Sequence, residues 1–296
     1  MTDLKLKIDK SKCVQCGMCV KDCSCAVLEL DKTTNFPKVA EGGELRCMKC
    51  QHCFAICPTG ALSILGKNPE KSELPQKNYP EDILNLIKSR KSIRQLKAEN
   101  ISKEDFEKLK EMLPWIPTGC NDHRLLFTFI DDIDLMNNFK NLTYQKLKEL
   151  YSKNPYPKEA MKLLRLKDAV LAGNDVIFRN APHAVIVSSP DDAPCAETDP
   201  VIALSYFELY ANALGLATVW CGLMTYTLKV FPDLVKELKI PQNYKPVYCM
   251  LFGKPAVSYK RITQPEKYRI MTYGKTLEKF YAFLKKIKTS VINFVK

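Results

Sequence analysis

No apolar run in this chain approaches the roughly 18 residues that a membrane-spanning helix requires. The opening Met1-Thr2-Asp3-Leu4-Lys5 carries no apolar signal core, so neither a membrane span nor a secretory leader is expected. Glycine is scarce: 11 residues among 296, none arranged as G-x-G-x-x-G or as a Walker loop. A nucleotide-like cofactor would have to be held by side-chain cations and scattered loops. Histidine is scarcer still, and His52, His123 and His183 lie too far apart in sequence to suggest a metal site. His52 reads as a surface or packing residue and His183, ahead of a strand, as a satisfied core histidine. No basic stripe is interleaved with aromatics, which argues against nucleic acid as a partner.

Cysteine is abundant. Eight of the 13 fall into two copies of C-x2-C-x2-C-x3-C, namely Cys13, Cys16, Cys19 and Cys23, then Cys47, Cys50, Cys53 and Cys57 followed by Pro58. Three thiolates at this spacing can curl round one face of a cubane iron–sulfur core, and the fourth ligates the other cluster of a pair. The expected assignment is crossed: Cys13, Cys16, Cys19 and Cys57 on one 4Fe–4S cluster, and Cys47, Cys50, Cys53 and Cys23 on the other. Zinc is the main rival, but structural zinc sites use separated C-x2-C pairs, and a third cysteine three residues on crowds a tetrahedral ion. A disulfide framework is disfavoured by the tight spacing and the missing leader. Unpaired thiols in this number suit a reducing cytoplasm.

Residues 1–66 resemble bacterial two-cluster ferredoxins, most closely in Cys57-Pro58-Thr59-Gly60-Ala61-Leu62. One departure is Ser24, where that family usually has proline. Cys25 is read as a buried free thiol and Cys23 as the ligand, because its x3 spacing matches the second motif. Cys120, Cys195 and Cys249 are read as small buried hydrophobes.

The chain is basic, with 45 Lys and Arg against 33 Asp and Glu for a formal charge of +12. Two clusters on eight thiolates would lower that charge by about 4. A solvated lysine surface is the plain reading; steering of acidic partners such as small ferredoxins, or of phosphates, is the sharper one. The polar, proline-bearing residues 67–80 read as a linker.

Beyond the linker, Ile83, Leu84, Leu86 and Ile87 fall on helical spacing between Glu81 and Arg90. Ser102 with Asp105 looks like a capped helix start, with Phe106, Leu109 and Leu113 on its apolar face. Residues 125–130, 184–187 and 247–252 read as strands. Pro200–Leu214 reads as a mostly buried helix with Ile202, Tyr206, Leu209, Tyr210 and Ala213 on one side. Interleaved strands and helices make the larger domain α/β or α+β. Arg90-Lys91-Ser92-Ile93-Arg94 puts two guanidiniums, an ammonium and a hydroxyl within one short stretch that could chelate phosphate. Simple charge compensation at a helix C-terminus is the alternative for that stretch.

Several pieces in order resemble the flavin-dependent nitroreductase family over about residues 82–262. They are Arg90-x-Ser92-x-Arg94, Pro117-Thr118-Gly119-Cys120-Asn121-Asp122-His123, Ala181-Pro182-His183, Ala211 to Thr218 followed by Trp220-Cys221-Gly222, and Gly253-Lys254-Pro255 with Lys260-Arg261. The resemblance implies FMN at the interface of a domain-swapped homodimer. It places Arg90, Lys91, Ser92 and Arg94 on the phosphate, ribityl chain and pyrimidine edge, with Lys260 or, preferably, Arg261 completing the phosphate cage. Pro117, Thr118 and Asn121 would reach in from the partner subunit, and Asn174 would bond the pyrimidine. Cys221-Gly222 would run under the isoalloxazine with a backbone N–H aimed at N5. No side chain is assigned a catalytic role. Thr118, His123 and Cys221 depart from the family pattern, and the last two lie near the expected substrate face.

The expected architecture is α+β: a ferredoxin-like 2×4Fe–4S domain (1–66), a linker (67–80), and a nitroreductase-like α/β FMN domain with a C-terminal arm (81–296). The arm from Thr276 to Lys296 is expected to pack on a partner subunit rather than on a membrane surface. The expected function is relay of electrons from reduced ferredoxin, or a similar donor, through the clusters to FMN and on to an organic acceptor such as a nitroaromatic or quinone. Two alternatives stand beside it: reduction of FMN by NAD(P)H with the clusters as outlet, and a non-enzymatic redox carrier or sensor.

Overall fold

A computed structural model describes residues 3–77, 79–153, 155–265 and 269–273. Its contacts divide into two units, Met1–Tyr259 and Lys260–Lys296. The first holds both the cysteine module and the larger sheet. In the second, residues 260–265 and 269–273 carry no helix or strand; the expected arm at 276–296 lies outside the described residues.

The cysteine module begins with β1 (Lys7–Ile8) and the short helix α1 (Met18–Lys21), then the hairpin β2 (Leu28–Leu30) and β3 (Pro37–Val39). Two further short helices, α2 (Gly43–Arg46) and α3 (His52–Ala55), lead to β4 (Leu62–Ser63), which pairs antiparallel with β1. Its halves repeat in backbone conformation as well as in cysteine spacing. Gln15 and Gly17 have positive φ, as do Lys49 and Gln51 at the same offsets from Cys13 and Cys47; Ala26 and Gly60 repeat the pattern after Cys23 and Cys57. Left-handed residues curl each loop tightly round its thiols. A core of Leu4, Val27, Leu28, Leu62 and Ile64 backs the loops.

Two helices follow, α4 (Pro80–Ser89) and α5 (Lys103–Glu111). Ser102 caps α5 as expected, its Oγ accepting from Asp105 N at 3.0 Å and donating to Asp105 Oδ2 at 2.6 Å. The larger sheet and its helices come next: β5 (Leu126–Ile130), α6 (Ile133–Tyr151), α7 (Met161–Leu164), α8 (Lys167–Leu171), β6 (His183–Pro190), α9 (Asp199–Ala213), β7 (Ala217–Trp220), α10 (Gly222–Val230), α11 (Pro232–Glu237) and β8 (Tyr244–Gly253). The strand order is β5-β6-β8-β7, every neighbouring pair antiparallel. The fold class is therefore α+β.

Strand alternation divides the interior into two layers. Ala184, Ile186, Cys249 and Leu251 point into one core with Met136, Leu147 and Met224; Val185, Val187, Met250 and Phe252 point into the other with Leu109, Phe207 and Ala211. Helices cover both faces, which is why every residue of β6 is buried.

Four expectations change. Helix α9 buries Ala203, Leu204, Phe207 and Ala211 and leaves Tyr206 48% exposed, the reverse of the expected face. It is apolar nearly all round, so periodicity could not tell which stripe the sheet would take. Cys25 and Cys195 are only half-buried and Cys120 is exposed, whereas Cys249 is fully buried. Cys120 sits on a loop with positive φ that turns its side chain outward from the sheet's core.

Candidate functional site

The first cavity of interest is lined by Cys13, Cys16, Cys19 and Cys57, together with Val14, Gly17 and Thr59. These are the members of one expected crossed set. The other four also gather: Cys53 feels the thiols of Cys23, Cys50 and Cys47. Burial, followed by the Cys23 charge, pushes the Cys53 thiol up to about 11, and burial also raises Cys19. Burial acts upward on Cys57 as well, but N–H groups of Ala61, Thr59 and Leu62 outweigh it and hold that thiol below the ordinary range. Thiols crowded in this way repel as thiolates, and iron would relieve that repulsion while releasing their protons.

Backbone donors are aimed at the sulfurs. Ala61 N donates to Cys57 Sγ at 3.2 Å, and Val27 N to Cys23 Sγ at 3.3 Å, the same offset in each half. Lys49 N donates to Cys47 Sγ at 3.4 Å. Such donors tune cluster thiolates. Their symmetry makes Cys23, not the half-buried Cys25, the counterpart of Cys57. Among the described residues no three His, Cys, Asp or Glu side chains converge on a single-ion site. Four cysteines splayed round a cavity fit a cubane better than one tetrahedral ion.

The second candidate site lies along β7. Ser92 forms a parallel bridge with Thr218, and Ile93 N donates to Thr218 O at 3.1 Å. The Arg90–Arg94 stretch is thereby fastened beside the start of β7. Arg90 Nη1 lies 3.1 Å from Glu208 Oε1, whose carboxylate also accepts from Thr218 Oγ1 at 3.4 Å. Lys91 Nζ stands over the Tyr259 ring at 5.6 Å, and Arg94 is exposed.

Past the end of β7, Cys221 is the N-cap of α10 and its Sγ accepts from Met224 N at 3.4 Å. The Cys221 thiol donates to Ile177 O at 3.3 Å, and its backbone N–H goes to Cys249 O at 2.9 Å. Burial pushes this thiol up to about 11, so it is neutral near pH 7 and no nucleophile. Gly222 stands at the first position of α10, where the N–H has no intrahelical acceptor. A Cβ at Gly222 would come within 3.1 Å of Tyr248 Oη, so the backbone must stay bare there. From Thr218 to Gly222 is about 13 Å at the usual strand rise. A phosphate held by Arg90 and Ser92 and a ring over Gly222 can belong to one flavin mononucleotide, and the donor set fits.

Asn174 is exposed after Gly173, which adopts φ +82. The loop it opens is fixed by Asp175, which accepts from Tyr144 Oη at 2.5 Å, Phe178 N at 2.8 Å and Asn180 N at 2.8 Å. Ile177 in this loop is the residue that meets Cys221, so Asn174 belongs to the same neighbourhood.

The Pro117–His123 loop is held by two distant residues. Gly119 N donates to both oxygens of the buried Asp199, at 3.1 and 3.0 Å. A Cβ on Gly119 would come within 2.5 Å of Cys195 Sγ. Cys120, Asn121 and His123 all have positive φ, a strained arrangement that surrounding structure must enforce. Thr118 Oγ1 accepts from His123 N at 3.0 Å, and His123 Nε2 lies 3.0 Å from Asn121 Oδ1. Asn121 Nδ2 donates to Met48 O at 3.1 Å, which joins this loop to the second cysteine motif of the same chain.

Lys260 and Arg261 fall in the second unit. His52 is exposed, and His183 is a core residue whose Nε2 accepts from Ile101 N at 3.0 Å. Met48, Asp175, Asp199 and Glu208 are not signalled by sequence. Each is an ordinary residue locally, and its partners lie as far as 118 positions away, as for Arg90 and Glu208.

Known proteins resemble both parts of this chain. The nitroreductase family model matches residues 87–254, and a 4Fe–4S dicluster domain matches 12–61. NADH-quinone oxidoreductase subunit I 2 of Geobacter metallireducens is 33% identical, over 29% of this chain and 66% of that protein. Ferredoxin-3 of a Nostoc species is 35% identical, over 17% of this chain and 67% of its own length. The chain thus spans about two thirds of these curated relatives. A nitroreductase with bound FMN from Bacteroides fragilis superposes with TM-score 0.52 at 21% identity, covering 64% of this chain and 99% of the other. One from Desulfitobacterium hafniense, also with bound FMN, gives 0.52 at 22%, covering 67% and 99%. These likenesses show the fold. The chain belongs to the nitroreductase family and carries a 4Fe–4S dicluster domain ahead of the family domain.

Proposed function

We propose that this protein is an iron–sulfur flavoenzyme that accepts electrons singly from a reduced low-potential donor such as ferredoxin and delivers them in pairs to an organic acceptor. Its cofactors are FMN and two 4Fe–4S clusters. The observation that carries the reading is the join between modules: the loop expected at the flavin hydrogen-bonds the backbone of a cluster-binding motif. FMN supplies the conversion between one-electron and two-electron chemistry.

The chain's own residues bind and orient. Cys13, Cys16, Cys19 and Cys57 hold one cluster; Cys47, Cys50, Cys53 and Cys23 hold the other. Arg90, Lys91, Ser92 and Arg94, with Arg261 or Lys260, hold the phosphate and ribityl chain, the Arg90 fork being kept in place by Glu208. Asn174 bonds the pyrimidine edge, and Gly222 N–H, beside Cys221, faces N5. Pro117, Thr118 and Asn121 of a second copy close the pocket.

A homodimer is supported by apolar surface. Ile83, Leu84 and Ile87 of α4 are each about half exposed, and Val201 and Tyr206 of the neighbouring α9 are exposed too. A second copy would cover this face. The free thiols suit a cytoplasmic location. The acceptor class, nitroaromatic or quinone, is that of the family resemblance.

Anaerobic stopped-flow with reduced ferredoxin, NADH and NADPH as separate donors tests the reading. Rapid flavin bleaching by ferredoxin, followed by reoxidation with an acceptor, is expected. Bleaching by a nicotinamide alone would reverse the assignment of the clusters to an outlet, and no acceptor turnover with any donor would leave a redox carrier.

A further inference from the structure

The two cysteine motifs are equivalent in sequence but not in their surroundings. Met48, between Cys47 and Cys50, accepts the Asn121 amide at 3.1 Å. Gln51 and Phe54, from the same motif, line an open cleft of about 550 Å³ together with residues of the 66–72 stretch and with Pro114 and Trp115, just ahead of the Pro117–His123 loop. The first motif has a different outlook. Its cavity is lined entirely by residues of the cysteine module, from Ile8 to Leu62. Cys16 is exposed, Val14 is 62% exposed and Met18 40%.

We infer that the two clusters act in fixed order: the one held by Cys47, Cys50, Cys53 and Cys23 exchanges electrons directly with the flavin that the same chain's Pro117–His123 loop reaches, that of a second copy, across the Met48–Asn121 hydrogen bond, and the one held by Cys13, Cys16, Cys19 and Cys57 is the outer cluster. The inference rests on the proposed function in taking the Pro117–His123 loop to lie at the flavin. Each transfer removes one electron from the inner cluster and returns it to its oxidised charge. The outer cluster replaces that electron, drawing on a one-electron iron–sulfur donor. Two electrons, with up to two solvent protons, convert oxidised to reduced flavin. Tunnelling falls steeply with distance, so the cluster whose binding motif meets the loop would outcompete the other.

The contact also explains why a strained loop is held so firmly. Asn121 stays at φ +55 between Cys120 at +54 and His123 at +51, with Asp199 fixing Gly119 behind it. A loop that only closed a pocket could relax; one that sets a donor–acceptor separation cannot. Asn121 is a positioning residue in this arrangement.

The test uses full-length protein reconstituted with iron, sulfide and 8-fluoro-FMN, fully reduced so that the clusters are paramagnetic. The 19F longitudinal relaxation of the flavin reports its distance to each cluster, whichever way electrons flow in turnover. Cys50→Asp and Cys16→Asp each place an oxygen ligand on one cluster and change its spin relaxation. Cys50→Asp should change the 19F rate severalfold and Cys16→Asp leave it near the wild-type value. If either variant loses its cluster, which iron content reveals, the comparison still decides, because relaxation enhancement then collapses only for the inner cluster. A second measurement leaves every cluster ligand in place: in protein labelled with 15N-asparagine, the Asn121 side-chain amide, assigned by its disappearance in Asn121→Asp, should be broadened on cluster reduction. A larger effect from Cys16→Asp, or equal effects, would overturn the order. Failure of the functional reading looks different: the relaxation pattern would hold while reduced ferredoxin failed to bleach the flavin.

Discussion

The guanidinium of Arg90 lies 3.1 Å from the carboxylate of Glu208, whose side chain is 8% exposed while that of Arg90 is 34% exposed. Glu208 projects from α9 and Arg90 caps the end of α4, so the pair fixes the direction of the fork that the phosphate would meet. One carboxylate oxygen orients the guanidinium, and the remaining N–H donors stay available.

Arg90→Ala should therefore do two things. It removes a phosphate donor, costing FMN affinity on the order of 2–4 kcal/mol, and it leaves a buried carboxylate unpaired. Arg90→Ala with Glu208→Gln should recover folding stability but not FMN affinity. Flavin retention on gel filtration and thermal denaturation of both variants separate the effects. Equal FMN retention in wild type and Arg90→Ala would remove Arg90 from the phosphate site.

Anaerobic reconstitution should yield about eight iron and eight acid-labile sulfides per chain. Cys23→Ser should damage the cluster of Cys47, Cys50 and Cys53, and Cys25→Ser should leave both clusters largely intact. The matched N–H donation at Val27 and Ala61 supports that choice. Iron content and the broad visible absorption check it; zinc without that absorption would refute the clusters.

His183 supplies a pH dependence. Burial holds its pKa below the ordinary 6.5, so the folded chain keeps it neutral while the unfolded chain protonates more readily. Its stabilising contribution is complete above about pH 6.5 and is lost as pH falls toward the folded pKa. Lowering the pH from 7.5 to 5.5 should depress Tm more in wild type than in His183→Gln, which keeps an acceptor for Ile101 N. Parallel Tm profiles would rule out this residue as the source.

A chain beginning at Tyr79 should fold and bind FMN, because the module's core, built on Leu4, Val27, Leu28, Leu62 and Ile64, is separate from the two cores of the larger sheet. It should still reduce an acceptor with a chemical reductant but lose most of its ferredoxin-driven rate. The full-length rate should fall as salt rises, since exposed charges that steer an acidic donor are screened over roughly 8–10 Å. Full ferredoxin-driven turnover by the truncated chain would show that the clusters are not the input path.

The sequence by itself determined whatever depends on short chain separations. The cysteine spacings specify two clusters because ligand geometry is set within a few residues, and Ser102 announces α5 because its cap closes over three positions. Short continuous apolar runs made the buried strands legible. Helix α6 was open to the same treatment and is absent from the sequence expectations: Asp132 caps it, and Met136, Phe139, Thr143, Leu147 and Leu150 repeat along one face.

The tertiary structure decided what separations of tens of residues leave open. Periodicity marks α9 as buried but cannot choose between two apolar stripes; the sheet took Ala203, Leu204, Phe207 and Ala211. The family resemblance points to Asn121 as a cofactor-loop residue, but only folding brings its amide to Met48, 73 positions earlier. Arg90 reads as a cation in a basic stretch until Glu208 packs beneath it. Local patterns encode local free energies, whereas these partners are chosen by the packing of whole layers, which no short stretch of chain contains.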